Sequence, residues 1–169
     1  MKRFAMLAFV LMFAISCDDS PTSPSDPNVA LFTSILLPGN EVPAVTNADV
    51  AASGTLQLQL DLTRDAGNAV TGGTANFTVH MTGFPNNTVL TGAHSHAAPA
   101  GTNAGVFLNT GLATGELTLA TGQQTFTKTV TVSAAQANAI INNPAGHYFN
   151  VHTTLNPGGA IRGQLVRSN

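Results

Sequence analysis

Residues 146–166, Gly-His-Tyr-Phe-Asn-Val-His-Thr-Thr-Leu-Asn-Pro-Gly-Gly-Ala-Ile-Arg-Gly-Gln-Leu-Val, decide the fold. The first third of this stretch alternates apolar with polar side chains, the period of two that places successive residues on opposite faces of a strand. Residues 156–159, Asn-Pro-Gly-Gly, predict a turn, because proline presets φ at its entry and glycine accepts a positive φ. The stretch therefore predicts an antiparallel hairpin in which Ile161 and Leu165 face the core.

The same period of two recurs along the rest of the chain. Residues 56–62 alternate leucine with glutamine or aspartate without a break, and residues 76–81 and 126–132 alternate in the same way. Four further segments predict strands: residues 30–37, 89–96, 106–109 and 115–120. We expect an all-β protein, an immunoglobulin-like antiparallel β-sandwich or barrel of about eight strands.

One short helix is predicted after the strand at 126–132. Ser133 and Gln136 have the spacing of a capping box, in which each side chain bonds the other residue's backbone N–H. An apolar stripe follows and Pro144 ends it. We expect this helix to be structural and to lead into the strand that begins near His147.

The N-terminus has the pattern of an export signal. Two basic residues precede the uninterrupted apolar run 4–15, which is shorter than the roughly 20 residues of a membrane-spanning helix. Residues 14–17, Ala-Ile-Ser-Cys, resemble a bacterial lipobox, and Cys17 is the only cysteine of the chain. We therefore predict a signal peptide at 1–16 and lipidation of Cys17, with ordinary secretion as the alternative.

Residues 17–28 are predicted to form the lipidated cysteine and a flexible tether, since they are dominated by proline, serine and aspartate. Residues 29–169 have the length of one domain. The prediction places the protein in a bacterial cell envelope, lipid-anchored on a periplasmic or outer surface, or secreted if it is not lipidated. Membrane contact would then be through the lipid anchor only.

The charge of the chain argues against one class of partner. The chain has six basic and eight acidic residues, and removal of the leader would leave four basic against eight acidic ones. No basic cluster exists, so the sequence disfavours nucleic-acid binding.

Three islands of sequence carry a family resemblance. Residues 37–43, Leu-Pro-Gly-Asn-Glu-Val-Pro, residues 94–96, His-Ser-His, and the hairpin at 146–166 stand in this order. Together they resemble the CHRD domain, named for chordin, over about residues 30–167. The resemblance implies a domain better known as a module than as an enzyme.

The histidines are the candidate ligands. His94 and His96 are two apart on a predicted strand, so both imidazoles project from one face. His152 lies on the polar face of another strand, and the three could form a copper or zinc site because neutral imidazole suits both metals. His147 is a weaker candidate, since it points the opposite way from His152, and His80 is expected on a solvated surface.

A structural role is the alternative for the same residues. In this interpretation the histidines belong to a buried polar network that locks the strands together. The network would contain Glu41, Tyr148, Asn150 and Arg162.

Catalysis is the weakest interpretation. Paired carboxylates are absent, and Ser95 points away from its neighbouring histidines. The His-x-His strand is similar to that of copper-zinc superoxide dismutase. However, residues 97–105 hold neither histidine nor aspartate, so the zinc half of such a site is missing.

Two function hypotheses follow from the sequence. The first is a non-enzymatic, exported cell-envelope module that binds a protein or a surface component of the envelope. The alternative is a copper- or zinc-binding protein that uses His94, His96 and His152, with a possible redox role.

Overall fold

The computed structural model describes residues 26–169, and this part of the chain forms ten strands and one α-helix. The elements are β1 Val29–Leu36, β2 Ser53–Arg64, β3 Val70–Thr82, β4 Thr88–His96, β5 Val106–Asn109, β6 Thr118–Leu119, β7 Gln124–Ser133, α1 Ala134–Asn142, β8 Tyr148–Thr153, β9 Ile161–Gln164 and β10 Val166–Arg167. Short 3₁₀ turns lie at Pro38–Asn40, Ala48–Ala51 and Pro144–Gly146. The predicted signal peptide at 1–16 and Cys17 lie outside the described residues.

The strands form two sheets in which every pairing is antiparallel. The first sheet has the order β10-β1-β2-β3-β7, and the second has the order β5-β4-β8-β9 with β6 paired to the start of β4. The predicted all-β class is therefore confirmed. Of the two architectures that the sequence allowed, the structure is a sandwich of two sheets.

The predicted strand at 160–166 is divided between the two sheets. β9 pairs with β8 in the second sheet, whereas β10 pairs with β1 in the first. Leu165 lies at the corner between them and is buried, as predicted. The period of two does not reveal this division, because a strand that changes sheets keeps the same alternation.

The core lies between the two sheets and follows the predicted alternation. Along β2, Leu56, Leu58 and Leu60 are almost completely buried, while the residues between them are exposed. Burial of one such side chain contributes about 1.5–3 kcal/mol. Phe77 of the first sheet stacks on Phe149 of the second, with 5.6 Å between ring centroids. The sheets are thus joined by direct aromatic and aliphatic packing.

The helix α1 has the predicted capping box. Ser133 Oγ accepts from the Gln136 backbone N–H, and the Gln136 side chain accepts from the Ser133 backbone N–H. Ala137 and Ile140 are buried against the core. The helix ends at Asn142, and the 3₁₀ turn at Pro144–Gly146 then leads into β8.

Three loops cover the outer face of the second sheet. They comprise residues 37–47 after β1, residues 97–105 after β4 and residues 154–160 between β8 and β9. All six residues of β8 are buried, because the core covers one face of the strand and these loops cover the other. The polar side chains of this outer face are therefore enclosed.

Candidate metal centre

The outer face of the second sheet brings together His94, His96 and His152. One ring nitrogen from each of the three residues lies within 4.8 Å of those of the other two. The strand register explains this cluster, since His152 of β8 lies opposite Gly92 of β4, two positions before His94. The sequence placed His94 and His96 on one face, and the strand pairing adds the third ring.

Glycine at position 92 provides room for the cluster. A Cβ atom on Gly92 would lie 3.0 Å from Nε2 of His94, closer than ordinary van der Waals contact. The His94 ring therefore lies over backbone rather than beside a side chain. Its centroid is 4.7 Å from that of His152 and 5.7 Å from that of His96.

Backbone carbonyls fix the tautomers of two histidines. Nδ1 of His96 lies 2.9 Å from the Ala104 carbonyl oxygen and 3.0 Å from that of Gly105. Nδ1 of His152 lies 2.9 Å from the Pro157 carbonyl oxygen. A carbonyl can only accept, so each Nδ1 carries the proton, and in the neutral rings each Nε2 presents a lone pair. Metal-binding histidines are commonly oriented by a hydrogen bond of this kind.

The side-chain amide of Asn150 lies against both lone pairs. Its Oδ1 atom is 3.0 Å from Nε2 of His96 and 3.0 Å from Nε2 of His152. On the other side of the amide, Nδ2 donates to Oε1 of Glu41 at 3.5 Å. Three acceptor atoms therefore converge, while the amide hydrogens point towards a carboxyl group.

His94 differs from the other two histidines in its surroundings. Its Nδ1 atom is buried, and none of residues 26–169 forms a hydrogen bond with it. Burial, followed by the nearby charges of His152 and His96, lowers the pKa of His94 to about 4. Burial also lowers the pKa of His152, although the Pro157 carbonyl partly opposes this effect. A lowered pKa favours the neutral ring in both residues, which is the form that binds metals.

Glu41 is buried beside the cluster. Burial raises the pKa of its carboxyl group to about 7, against the opposing effects of the Asn150 hydrogen bond and the Arg162 charge. The turn between β8 and β9 packs directly on this carboxyl group. A Cβ atom on Gly159 would overlap the carboxyl group, and Gly159 has a φ of 134°, so glycine is needed there for both reasons.

Arg162 holds the loop at 97–105 over the site. Its guanidinium is completely buried and donates to the carbonyl oxygen of Thr102 at 2.7 Å, to Oδ1 of Asn103 at 3.0 Å and to the carbonyl oxygen of Pro99 at 3.3 Å. The same loop supplies the two carbonyls that bond His96. Arg162 therefore supports the His96 tautomer through this loop.

Arg162 also begins a stack of three planar groups. Its Cζ atom lies 3.3 Å from the centroid of the Tyr148 ring, and that ring stacks on His96 at 4.5 Å with an interplanar angle of 12°. The stack restrains the rotation of the His96 ring. The structure thus brings Tyr148, Asn150, Arg162 and Glu41 together with the histidine cluster.

The other candidate residues lie away from the cluster. His147 Nδ1 contacts the Asn143 carbonyl oxygen, and its ring packs on Phe107. His80 is exposed and bonds Thr125, and Ser95 faces the core on the opposite side of β4. The expected separation of these three residues from the site therefore agrees with the structure.

Sequence reasoning missed the backbone part of the site and one buried acid. The carbonyls of the covering loops have no side-chain signal in the sequence. Asp49 lies in the 3₁₀ turn Ala48–Ala51 between β1 and β2, and its carboxyl group is buried. It accepts from Thr153 at 2.8 Å and from Asn156 at 2.6 Å. It fastens the start of the turn at 154–160 through Asn156, whereas Glu41 lies against Gly159.

One known family matches the residues that form this architecture. A family model described as "CHRD domain" matches residues 32–165, which is most of the chain and includes every residue of the cluster. The chain belongs to the CHRD domain family. The match to the CHRD domain begins within β1 and ends at the corner between β9 and β10.

Searches of the curated proteins and of the solved structures found no match to this CHRD chain. Among residues 26–169 of the CHRD protein, no helix has the length and apolar character needed to cross a membrane.

Proposed function

We propose that this CHRD protein binds one copper or zinc ion through His94, His96 and His152. The observation that carries the proposal is the convergence of three imidazoles within 4.8 Å, two of which have Nδ1 bonded to backbone carbonyls. The donors of a tetrahedral ion with bonds of 2.0–2.1 Å are about 3.3 Å apart. Ring rotations that move the nitrogen atoms by about 1–2 Å would bring the three donors to that separation.

The chemistry of the donors supports copper or zinc. The cluster consists of imidazoles, and no cysteine thiolate is among residues 26–169. Imidazole suits copper, zinc, nickel and iron, whereas magnesium and calcium prefer oxygen ligands. The lowered pKa values of His94 and His152 favour the neutral rings, so an ion need not compete with a second proton for the free ring nitrogen.

The proposed role is to hold or transfer the ion rather than to catalyse a reaction. The site has one group of three histidines, and the loop at 97–105 lacks the histidine and aspartate that a neighbouring zinc site of the dismutase kind would need. His94 is the most exposed of the three rings, so it lies on the side from which an ion would enter.

Elemental analysis tests this proposal. Full-length protein carrying Cys17→Ser, without a polyhistidine tag, is incubated with copper or zinc and then desalted. We expect about one equivalent of bound ion. The double variant His94→Ala, His96→Ala should lose it, while the control His80→Ala should retain it. No retained ion in the parent protein, or equal binding by the double variant, would refute the proposal.

The cellular setting is proposed from the N-terminal sequence. The apolar run at 4–15 and the Ala-Ile-Ser-Cys sequence support export and lipidation of Cys17 in a bacterial cell envelope. The ion would then be bound outside the cytoplasm. Cys17→Ser should move the protein from the membrane to the soluble or secreted fraction in cell fractionation, and unchanged membrane association would contradict lipidation.

A second candidate function is binding to an envelope protein or surface component. Val42 and Leu155 are exposed apolar side chains on the rim of a cleft of about 300 Å³. Exposed apolar residues around a cleft are a feature of interaction sites. If this function is correct, Val42→Asp with Leu155→Asp should abolish cross-linking to an envelope component without changing metal content. Unchanged cross-linking would exclude the cleft as the contact.

A further inference from the structure

We propose that the side-chain oxygen of Asn150 is the fourth ligand of the ion and that Glu41 orients it. This inference rests on the proposed metal-binding function and names the ligand that completes the site. Asn150 lies on β8, two residues before His152 and directly opposite His94. Its side chain is buried and points to the same face as the histidines.

The side-chain oxygen of Asn150 and the two ring nitrogens beside it are acceptors without a shared donor. Each Nδ1 lies against a backbone carbonyl, so the tautomer that fits this geometry leaves Nε2 of His96 and Nε2 of His152 as acceptors. Oδ1 of Asn150 is also an acceptor, and it lies 3.0 Å from each of them. Three acceptors at these distances repel one another unless a positive centre lies among them. A metal ion supplies that centre for all three atoms at once, whereas a proton on one ring satisfies only one of the two contacts.

The distances from the Asn150 oxygen to the two ring nitrogens match those between ligands of one ion. Two donors bound to one ion at 2.0–2.1 Å lie about 2.9 Å apart at a right angle and about 3.3 Å apart at the tetrahedral angle. The two separations of 3.0 Å from the Asn150 oxygen fall within this range. The oxygen is therefore already at the spacing of a ligand beside both imidazoles.

The side-chain amide of Asn150 is held in one orientation by Glu41. Nδ2 of Asn150 donates to Oε1 of Glu41, which turns the oxygen towards the rings. Glu41 is held in turn by the packing of Gly159 on its carboxyl group. Outer groups of this kind fix the direction of metal ligands, and their loss commonly lowers metal affinity 10–100-fold.

A competing role for Asn150 makes the opposite prediction. If the amide turned by half a rotation, its NH₂ group would donate to both Nε2 atoms and would keep an ion out. Removal of the amide would then increase metal affinity. Substitutions at this position consequently separate a ligand from a blocking group.

The test measures the affinity for Cu²⁺ and Zn²⁺ in Asn150→Leu and Asn150→Asp, with full-length Cys17→Ser protein as the parent. Leucine has a similar volume but no donor atom, so we expect affinity to fall at least tenfold. Aspartate keeps an oxygen at the same place, so affinity should be retained or increased. The Cu²⁺ electron paramagnetic resonance spectrum should change in Asn150→Asp, because an anionic oxygen replaces a neutral one.

Glu41→Gln provides the matched variant of the orienting residue. It keeps the shape of the side chain but replaces one carboxyl oxygen by an NH₂ group, which cannot accept from the Asn150 amide, so we expect a loss of about tenfold in affinity. Circular dichroism and urea unfolding of each metal-free variant check that the fold is intact. If leucine destabilises the fold, Asn150→Ser, which is smaller and does not reach the ion, should show the same loss of affinity.

The outcomes separate the two proposals. If the parent protein binds no ion, the proposed function fails and the role of Asn150 fails with it. If the parent binds an ion that needs His94 and His96, but Asn150→Leu binds it equally well or more tightly, only the role of Asn150 is overturned. A loss in Asn150→Leu together with retention in Asn150→Asp supports it.

Discussion

Replacement of Arg162 by methionine should destabilise the protein strongly. The guanidinium is completely buried and forms two short hydrogen bonds, at 2.7 Å to Thr102 and 3.0 Å to Asn103. A hydrogen bond from a charged donor contributes about 1.5–3 kcal/mol, so the pair contributes about 3–6 kcal/mol. Methionine recovers part of this by avoiding the cost of burying a charge. We expect the free energy of unfolding to fall by about 3–5 kcal/mol.

Urea unfolding, followed by circular dichroism, measures this change as a lower midpoint at an unchanged slope. Arg162→Lys keeps the charge but cannot reproduce the forked hydrogen bonds, so its loss should be smaller. The control is Arg167→Met, since Arg167 is exposed and its Cζ atom is 5.9 Å from the Phe32 ring. It should change stability by less than about 1 kcal/mol. An equally small change in Arg162→Met would refute the assignment of Arg162 as the support of the loop at 97–105.

Three further predictions concern the capping box of α1, the turn at Gly159 and the buried carboxyl group of Glu41. Ser133→Ala removes the acceptor of the capping box and should cost about 1 kcal/mol in urea unfolding. Gly159→Ala places a Cβ atom against Glu41 at a positive φ and should cost about 1–3 kcal/mol by the same assay. Because the folded pKa of Glu41 is about 7 and its ordinary value is 4.5, its contribution to stability is lost as pH rises between these values. His94 has the opposite dependence, with stability lost as pH falls from 6.5 to about 4. Glu41→Gln should therefore gain stability between pH 5 and 7 relative to the parent, and parallel pH profiles would contradict this.

The strands of the sandwich were largely predictable from sequence because burial on one face imposes a period of two. The leucines of β2 and the hairpin of β8 and β9 lie where that period places them. The corner at Leu165 was not predictable, since the alternation continues through it while the pairing partner changes from β8 to β1.

The candidate site was predictable only in part. The spacing of His94 and His96 places both rings on one face, and the alternation along β8 predicts His152 on its polar face. The covering loops could not be predicted, because their contacts with the site are backbone carbonyls such as those of Ala104 and Pro157. The complete burial of Arg162 also depends on these loops. The period of two along β9 indicates only that Arg162 lies on the face opposite the core.

The long separation along the chain between the two histidine strands has a consequence for the order of assembly. Fifty-four positions separate His96 from Asn150, and β5, β6, β7 and α1 lie between β4 and β8 in the chain. Contacts between such distant segments form late in folding, because the intervening loop must close first. A nascent or truncated chain that lacks β8 has two of the three imidazoles and no Asn150. Retention of an ion would therefore serve as a reporter that β8 has docked on β4, and it would distinguish folded chains from partly folded ones.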